Sequence, residues 1–218
     1  MVVTALVFAT LLRAFVVQAF TVPTGSMEDT ILRHQRIVVQ KFGDVERGEV
    51  VVFEDPGRWL GAALRTAEDP NLLERGLQFV GVLPSSATEH LVKRVIGLPG
   101  DTVSCCDREG RMSVNGTPLE ESSYLFPGDV ASRTDFEVVV PQDALWLMGD
   151  HRSDSGDSRC HVDDGTAFVP LDLVTGRALA VAWPFDEAHG LGVPDTFDAV
   201  PDGGVPPAKG EVTRVPHC

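Results

Sequence analysis

The sequence is poor in basic residues, with 18 Lys and Arg against 32 Asp and Glu and a formal net charge of −14. A surface this acidic repels a phosphate backbone, and no basic stripe with interleaved aromatics runs along the chain, so nucleic acid is excluded as a partner. Its four cysteines (Cys105, Cys106, Cys160 and Cys218) contain no C-x-x-C spacing, so a zinc ribbon or thioredoxin-like motif has no support. There is no G-x-S-x-G either, which removes the usual signature of a Ser-His-Asp hydrolase; His34, His90, His151 and His161 read more simply as polar surface residues. Tyrosine occurs once. Internal repeats are absent, and no second apolar run is long enough to cross a bilayer.

Of the 218 residues, 43% are apolar, enough to bury a core, and 21 glycines with 15 prolines favour short strands and turns over a helical bundle. Outside the cytoplasm one disulfide is expected, Cys160 with Cys105 or Cys106, because adjacent cysteines seldom bond each other; four free thiols are the alternative.

The longest apolar stretch runs from Met1 to Phe20. As a helix of about 1.5 Å rise per residue it would span about 30 Å, the thickness of a hydrocarbon core. Arg13 interrupts it, at a cost of roughly 2.5–3.5 kcal/mol if central. A cleaved secretory signal is the competing reading, but no basic segment and no A-x-A precedes Val22. No Lys or Arg stands before the run to set orientation, and Arg33, Arg36 and Lys41 after it argue mildly for the reverse of an outward-facing domain. The division expected is therefore an anchor helix over 1–20, a β-rich domain over 21–188 and a mobile Pro/Gly-rich tail over 189–218.

Within the domain, β-branched runs predict strands at Arg36–Lys41, Glu49–Glu54, Leu91–Ile96, Arg111–Val114, Phe136–Val140, Ala144–Met148 and Arg177–Trp183. Asn115-Gly116 predicts a hairpin turn. An insertion at 57–89 carries helical spacing at Leu60–Thr66 and Leu72–Val82, either a packed flap or a membrane-surface contact.

Three polar clusters stand out. Ser26 lies in Val22-Pro23-Thr24-Gly25-Ser26-Met27, where Pro23 and Gly25 permit a sharp turn that exposes a hydroxyl. Serine needs a neighbouring base to act as a nucleophile. Lys93, inside the apolar run Leu91–Ile96, can supply one, because burial disfavours the ammonium and lowers the pKa. Gly149–Arg159 packs acids, arginines and hydroxyls into eleven residues after an apolar strand. Taken singly, these read as a surface turn, a lysine reaching water from an edge strand, and a solvated loop.

Together, PTGSMEDTI (23–31), GDVERGEVVVFEDP (43–56), KRVIGLPGD (93–101) and GDHRSDSGDSR (149–159), behind an apolar run, resemble the bacterial type I signal peptidases. The resemblance reaches from the apolar run to Trp183. It implies a mainly β catalytic domain of the signal-peptidase type with an N-terminal transmembrane helix, held on the outer side of the plasma membrane. The implied activity is removal of signal peptides from exported preproteins, after A-x-A-like sequences, with membrane lipid as the second partner. The implied roles are Ser26 as nucleophile, Lys93 as general base, Thr24 with the Ser26 N–H as oxyanion hole, and Ser155 steadying the lysine amine. Asp150, Arg152, Asp157 and Arg159 match a supporting polar shell, while Val22, Pro23, Met27, Ile31, Leu91 and Val92 match the lining of pockets for small side chains. Such a mechanism calls for no metal and no organic cofactor. Asp29 stands where the family usually has proline, and His151 where asparagine is common. A self-cleaving repressor-type Ser-Lys protease and a non-enzymatic membrane-tethered β domain are the alternatives; the absence of a DNA-binding half speaks against the first.

Overall fold

The computed structural model describes residues 17–57, 59–60 and 90–216. Among them are thirteen strands: β1 (Val17–Thr21), β2 (Arg36–Gln40), β3 (Val50–Glu54), β4 (His90–Gly97), β5 (Thr102–Cys105), β6 (Ser113–Val114), β7 (Thr117–Pro118), β8 (Phe136–Val139), β9 (Ala144–Met148), β10 (Phe168–Pro170), β11 (Val174–Trp183), β12 (His189–Gly190) and β13 (Glu211–Arg214). The only helices in this region are single 3₁₀ turns. The protein is mainly β, and each predicted strand has its counterpart. Asn115 and Gly116, at φ 52° and 80°, turn β6 into β7, as the dipeptide predicts for a turn that needs left-handed backbone at both positions.

One sheet runs β1-β2-β11-β3-β4-β9-β10, with β12 added to β11; the second runs β13-β8-β5-β6-β7. The central strands of the first sheet are covered on both faces. Val50 and Val52 join a cluster with Phe20, Val22, Met27, Ile31 and Val92, while Val51 and Phe53 join another with Val95, Leu145 and Leu147. A strand buried on both faces is apolar without alternation, which is why VVVF and ALWLM are unbroken runs. A third cluster, around Phe136, Trp146 and Met148, lies between the sheets.

Three expectations are corrected or bounded. Val17–Thr21 is strand paired with β2, not the end of a helix. This part of the apolar run satisfies its backbone groups in the sheet and buries Phe20 in the core. Residues 1–16 and most of the insertion 57–89 lie outside the described residues, and no described helix is long and apolar enough to cross a membrane.

The tail is laid against the domain rather than left loose. Phe197 and Val200 are buried in the cluster between the sheets, Gly204 N–H donates to the Gly100 carbonyl at 3.0 Å, and β13 pairs with β8.

Cys105 and Cys106 are bonded to each other, so neither pairs with Cys160, which is itself disulfide-bonded. Cys105 closes β5 in the second sheet, whereas Cys160 sits in the 3₁₀ turn Ser158–His161 against β9.

Candidate active site

Ser26 is carried by the loop joining β1 to β2. The loop is closed at its base, where Val22 N–H donates to Gln35 (3.0 Å) and His34 N–H to Val22 (2.7 Å). Inside it, Glu28 N–H donates to Gly25 and Ile31 N–H to Met27. Val22, Met27 and Ile31 sink into the core and anchor the turn. Gly25 lies close beneath the Arg33 and Glu28 side-chain ends, which a Cβ would approach within 3 Å and which would have to swing aside to admit it.

Lys93 sits mid-strand in β4, opposite Val51 of β3. Its amine is 2.5 Å from Ser26 Oγ, and both side chains are buried, at 2% and 6% exposure. Burial lowers the Lys93 pKa to about 8. The Asp157 and Asp150 carboxylates pull the other way, and the Arg159 charge assists the lowering. Thr24 Oγ1 lies 3.5 Å from Ser26 Oγ.

The loop after β9 holds this pair in place. His151 N–H donates to the Ser26 carbonyl at 3.1 Å. Asp150, fully buried, accepts two hydrogen bonds from Arg94 (2.8 and 2.6 Å) and one from Thr30 of the Ser26 loop (2.5 Å). Asp157, also fully buried, accepts from Arg159 through both oxygens at 2.9 Å and from Gly149 N–H at 3.1 Å. Burial works to raise the Asp157 carboxyl, but the Arg159 charge and these hydrogen bonds outweigh it and hold the pKa below the ordinary value. Arg152 donates to Glu121, to Gly149 O (3.0 Å) and to Ala131 O (2.7 Å). Gly149 itself leaves no room for a side chain, because a Cβ would overlap the Ser26 carbonyl oxygen and Ser155 Oγ.

Ser26, Lys93, Thr24, Asp150, Arg152, Asp157 and Arg159 are thus brought together as one network. Ser155 is buried beside Gly149, but its hydroxyl has no hydrogen-bond partner, so the expected contact with the lysine amine is not made. Of the expected pocket residues, Val22, Met27, Ile31 and Val92 share one apolar cluster, Leu91 packs partly against another, and Pro23 is exposed.

Sequence reasoning passed over Arg94, Thr30, Glu121 and Tyr124. Arg94 packs over the Tyr124 ring at 4.5 Å, and the Tyr124 hydroxyl donates to Glu121. A signal for Arg94 was present: two successive cations inside an apolar strand point to opposite faces, so a buried second cation demands an acid of its own. No three His, Cys, Asp or Glu side chains form a metal-holding group among the described residues.

The family of signal peptidases, peptidase S26, matches residues 1–183. A probable signal peptidase I of Mycobacterium leprae is 34% identical over 82% of this chain and 72% of its own length. The signal peptidase I of Mycobacterium tuberculosis is likewise 34% identical, over 84% of this chain and 70% of its own. A crystal structure of a signal peptidase I from Enterococcus faecalis aligns with 62% of this chain and 97% of its own at a TM-score of 0.38 and 21% identity. The chain belongs to the signal peptidase family, peptidase S26, and is a serine endopeptidase.

Proposed function

We propose that this protein removes N-terminal signal peptides from exported preproteins after A-x-A-like sequences, with Ser26 as nucleophile and Lys93 as general base. The observation that carries the reading is the 2.5 Å contact between the Lys93 amine and the Ser26 hydroxyl inside a buried, apolar-walled setting. A neutral amine there accepts the serine proton as the oxygen attacks the scissile carbonyl. The ammonium then protonates the leaving amine, and water activated by the same nitrogen clears the acyl-enzyme. Thr24 Oγ1 and the Ser26 N–H hold the oxyanion; loss of one such donor typically costs about 2.7–4 kcal/mol of barrier. Asp150, Arg152, Asp157 and Arg159 fix the loop after β9, which holds the Ser26 loop against the strand that carries Lys93. Ser155 steadies the amine once its hydroxyl turns toward it. Val22, Pro23, Met27, Ile31, Leu91 and Val92 shape the small-residue subsites.

The domain is tethered to the plasma membrane by the apolar run that precedes β1 and works on its outer side. Such a tether brings Ser26 to the bilayer surface, where the cleavage site of a membrane-inserted signal peptide lies. Cleavage of a detergent-solubilised preprotein by wild type, Ser26→Ala and Lys93→Ala tests the dyad: both variants should fold and be inactive. Turnover retained in either removes that residue from the mechanism.

A further inference from the structure

The Ser26 loop and the loop after β9 are joined by a closed circuit of four residues around the turn that carries the serine. His151 presents Nδ1 to Glu28 Oε2 at 3.7 Å. Glu28 Oε1 meets Arg33 Nε at 3.4 Å, and Arg33 Nη2 donates to Asp154 Oδ2 at 3.3 Å. Asp154 N–H returns to the His151 carbonyl at 3.0 Å. The circuit encloses the His151 N–H bond to the Ser26 carbonyl and the Glu28 N–H bond to the Gly25 carbonyl.

Its two halves are unequal. Arg33 and Asp154 are exposed, and an ion pair between them contributes little in water. His151 and Glu28 are mostly buried, where a charge interaction is screened far less. The His151 ring is also fixed in its plane: it stacks on Phe126 with centroids 3.8 Å apart and planes 14° from parallel. This stacking leaves Nδ1 buried with no hydrogen-bond partner, facing the Glu28 carboxylate. A nitrogen lone pair turned on a carboxylate is repelled, so an N–H at Nδ1 is the state this geometry favours.

We propose that His151 is a positioning residue, acting with Glu28 to hold the Ser26 carbonyl and thereby the direction of the Ser26 hydroxyl toward Lys93. The proposal rests on Ser26 being the nucleophile. His151 is tied to the serine residue by its own backbone, so tilting the ring on Phe126 moves the peptide that orients Ser26. Glu28, two residues beyond Ser26, resists that tilt from the opposite loop. Lys93, Asp150 and Arg94 are further charged groups at this junction: Lys93 is bonded to Ser26 Oγ, and Asp150 to Thr30 and to Arg94.

The test is a double-mutant cycle on peptide cleavage with kcat and KM read separately. His151→Phe keeps a ring to stack on Phe126 and removes Nδ1; Glu28→Gln removes the charge. Each should lower kcat about tenfold with KM changed less than about twofold, since a displaced nucleophile alters attack more than binding. The double variant should be no slower than the slower single, because both act through one contact. Should His151→Phe fail to fold, His151→Asn replaces it in the cycle. An unchanged kcat in either single variant, or losses that multiply in the double, overturns the proposal. Ser26→Ala run alongside separates the two ideas: activity surviving that change refutes the nucleophile, whereas a null result at His151 alone refutes only the positioning role.

Discussion

Lys93 and Ser26 are separated by 67 positions in the chain, yet the amine of one touches the hydroxyl of the other in a setting that excludes water. If the pair acts as proposed, the burial that brings them together also sets the pH at which it works. Burial lowers the Lys93 pKa to about 8, so at neutral pH only a minority of molecules hold the neutral amine. As pH rises, kcat/KM should climb about tenfold per unit and level off above about pH 8. A flat profile between pH 6 and 9 would exclude Lys93 as the base.

The same burial has a thermodynamic sign. A lysine whose folded pKa lies below its unfolded value near 10.5 disfavours folding wherever it must be charged. The penalty is full below about pH 8 and is relieved between there and about 10.5. A difference of that size amounts to about 3 kcal/mol, and losing the hydrogen bond to Ser26 gives back about 1. Lys93→Met should therefore be inactive yet more stable than wild type at pH 7, by about 2 kcal/mol or about 4–8 °C in Tm. The gain should shrink by pH 10. A variant less stable than wild type at pH 7 would show that the amine is not held against its preference for water.

Arg94 and Asp150 raise the opposite expectation. Removing one partner of a fully buried, doubly hydrogen-bonded pair strands the other charge, at a cost of about 3–5 kcal/mol. Arg94→Met should unfold at much lower urea. Adding Asp150→Leu should recover a good part of the loss, because no charge is then left behind. If the double variant is as unstable as the single one, the cost comes from packing against Tyr124 rather than from the stranded carboxylate.

These contrasts explain what could and could not be read from the sequence. Strands such as Val50–Glu54 and Ala144–Met148 were legible because a doubly covered strand is an unbroken apolar run. The closeness of Ser26 and Lys93 was expected because the segments that carry them, with the loop after β9, have dense polar residue types in a distinctive order. Arg94 was hidden by its neighbour: the chemistry of Lys93 drew attention to one face of β4, and the partner of the other face lies 56 positions away. The tail misled for a different reason. Its proline, glycine and aspartate content describes a segment without regular structure, but composition does not record that Phe197 and Val200 find a core. The bond between Cys105 and Cys106 ran against a statistical preference, and nothing in the spacing of the four cysteines revealed it.

The tail can be tested directly. Phe197 packs against Tyr124, with ring centroids 6.2 Å apart, next to the residues that brace Arg94 and Arg152. Phe197→Ala should cost about 3–5 kcal/mol in urea unfolding, as for any large aromatic removed from a core. A loose tail would leave stability unchanged.

Gly149 offers the sharpest separation of geometry from stability. It lies against the loop that bears Ser26, with its N–H donating to Asp157 and its carbonyl accepting from Arg152. A methyl group there would fall on the Ser26 carbonyl oxygen and Ser155 Oγ, and the Ser26 oxygen belongs to backbone that cannot rotate away as a side chain could. The chain must shift to admit it, and the nearest movable element is the Ser26 turn. A displacement of about 1 Å in a nucleophile can cost about a hundredfold in rate. Gly149→Ala should therefore fold, bind peptide with KM changed by less than about threefold, and lose about a hundredfold in kcat. Full activity in this variant would mean that the turn yields without moving the hydroxyl, and that the close approach at Gly149 has no part in holding Ser26 against Lys93.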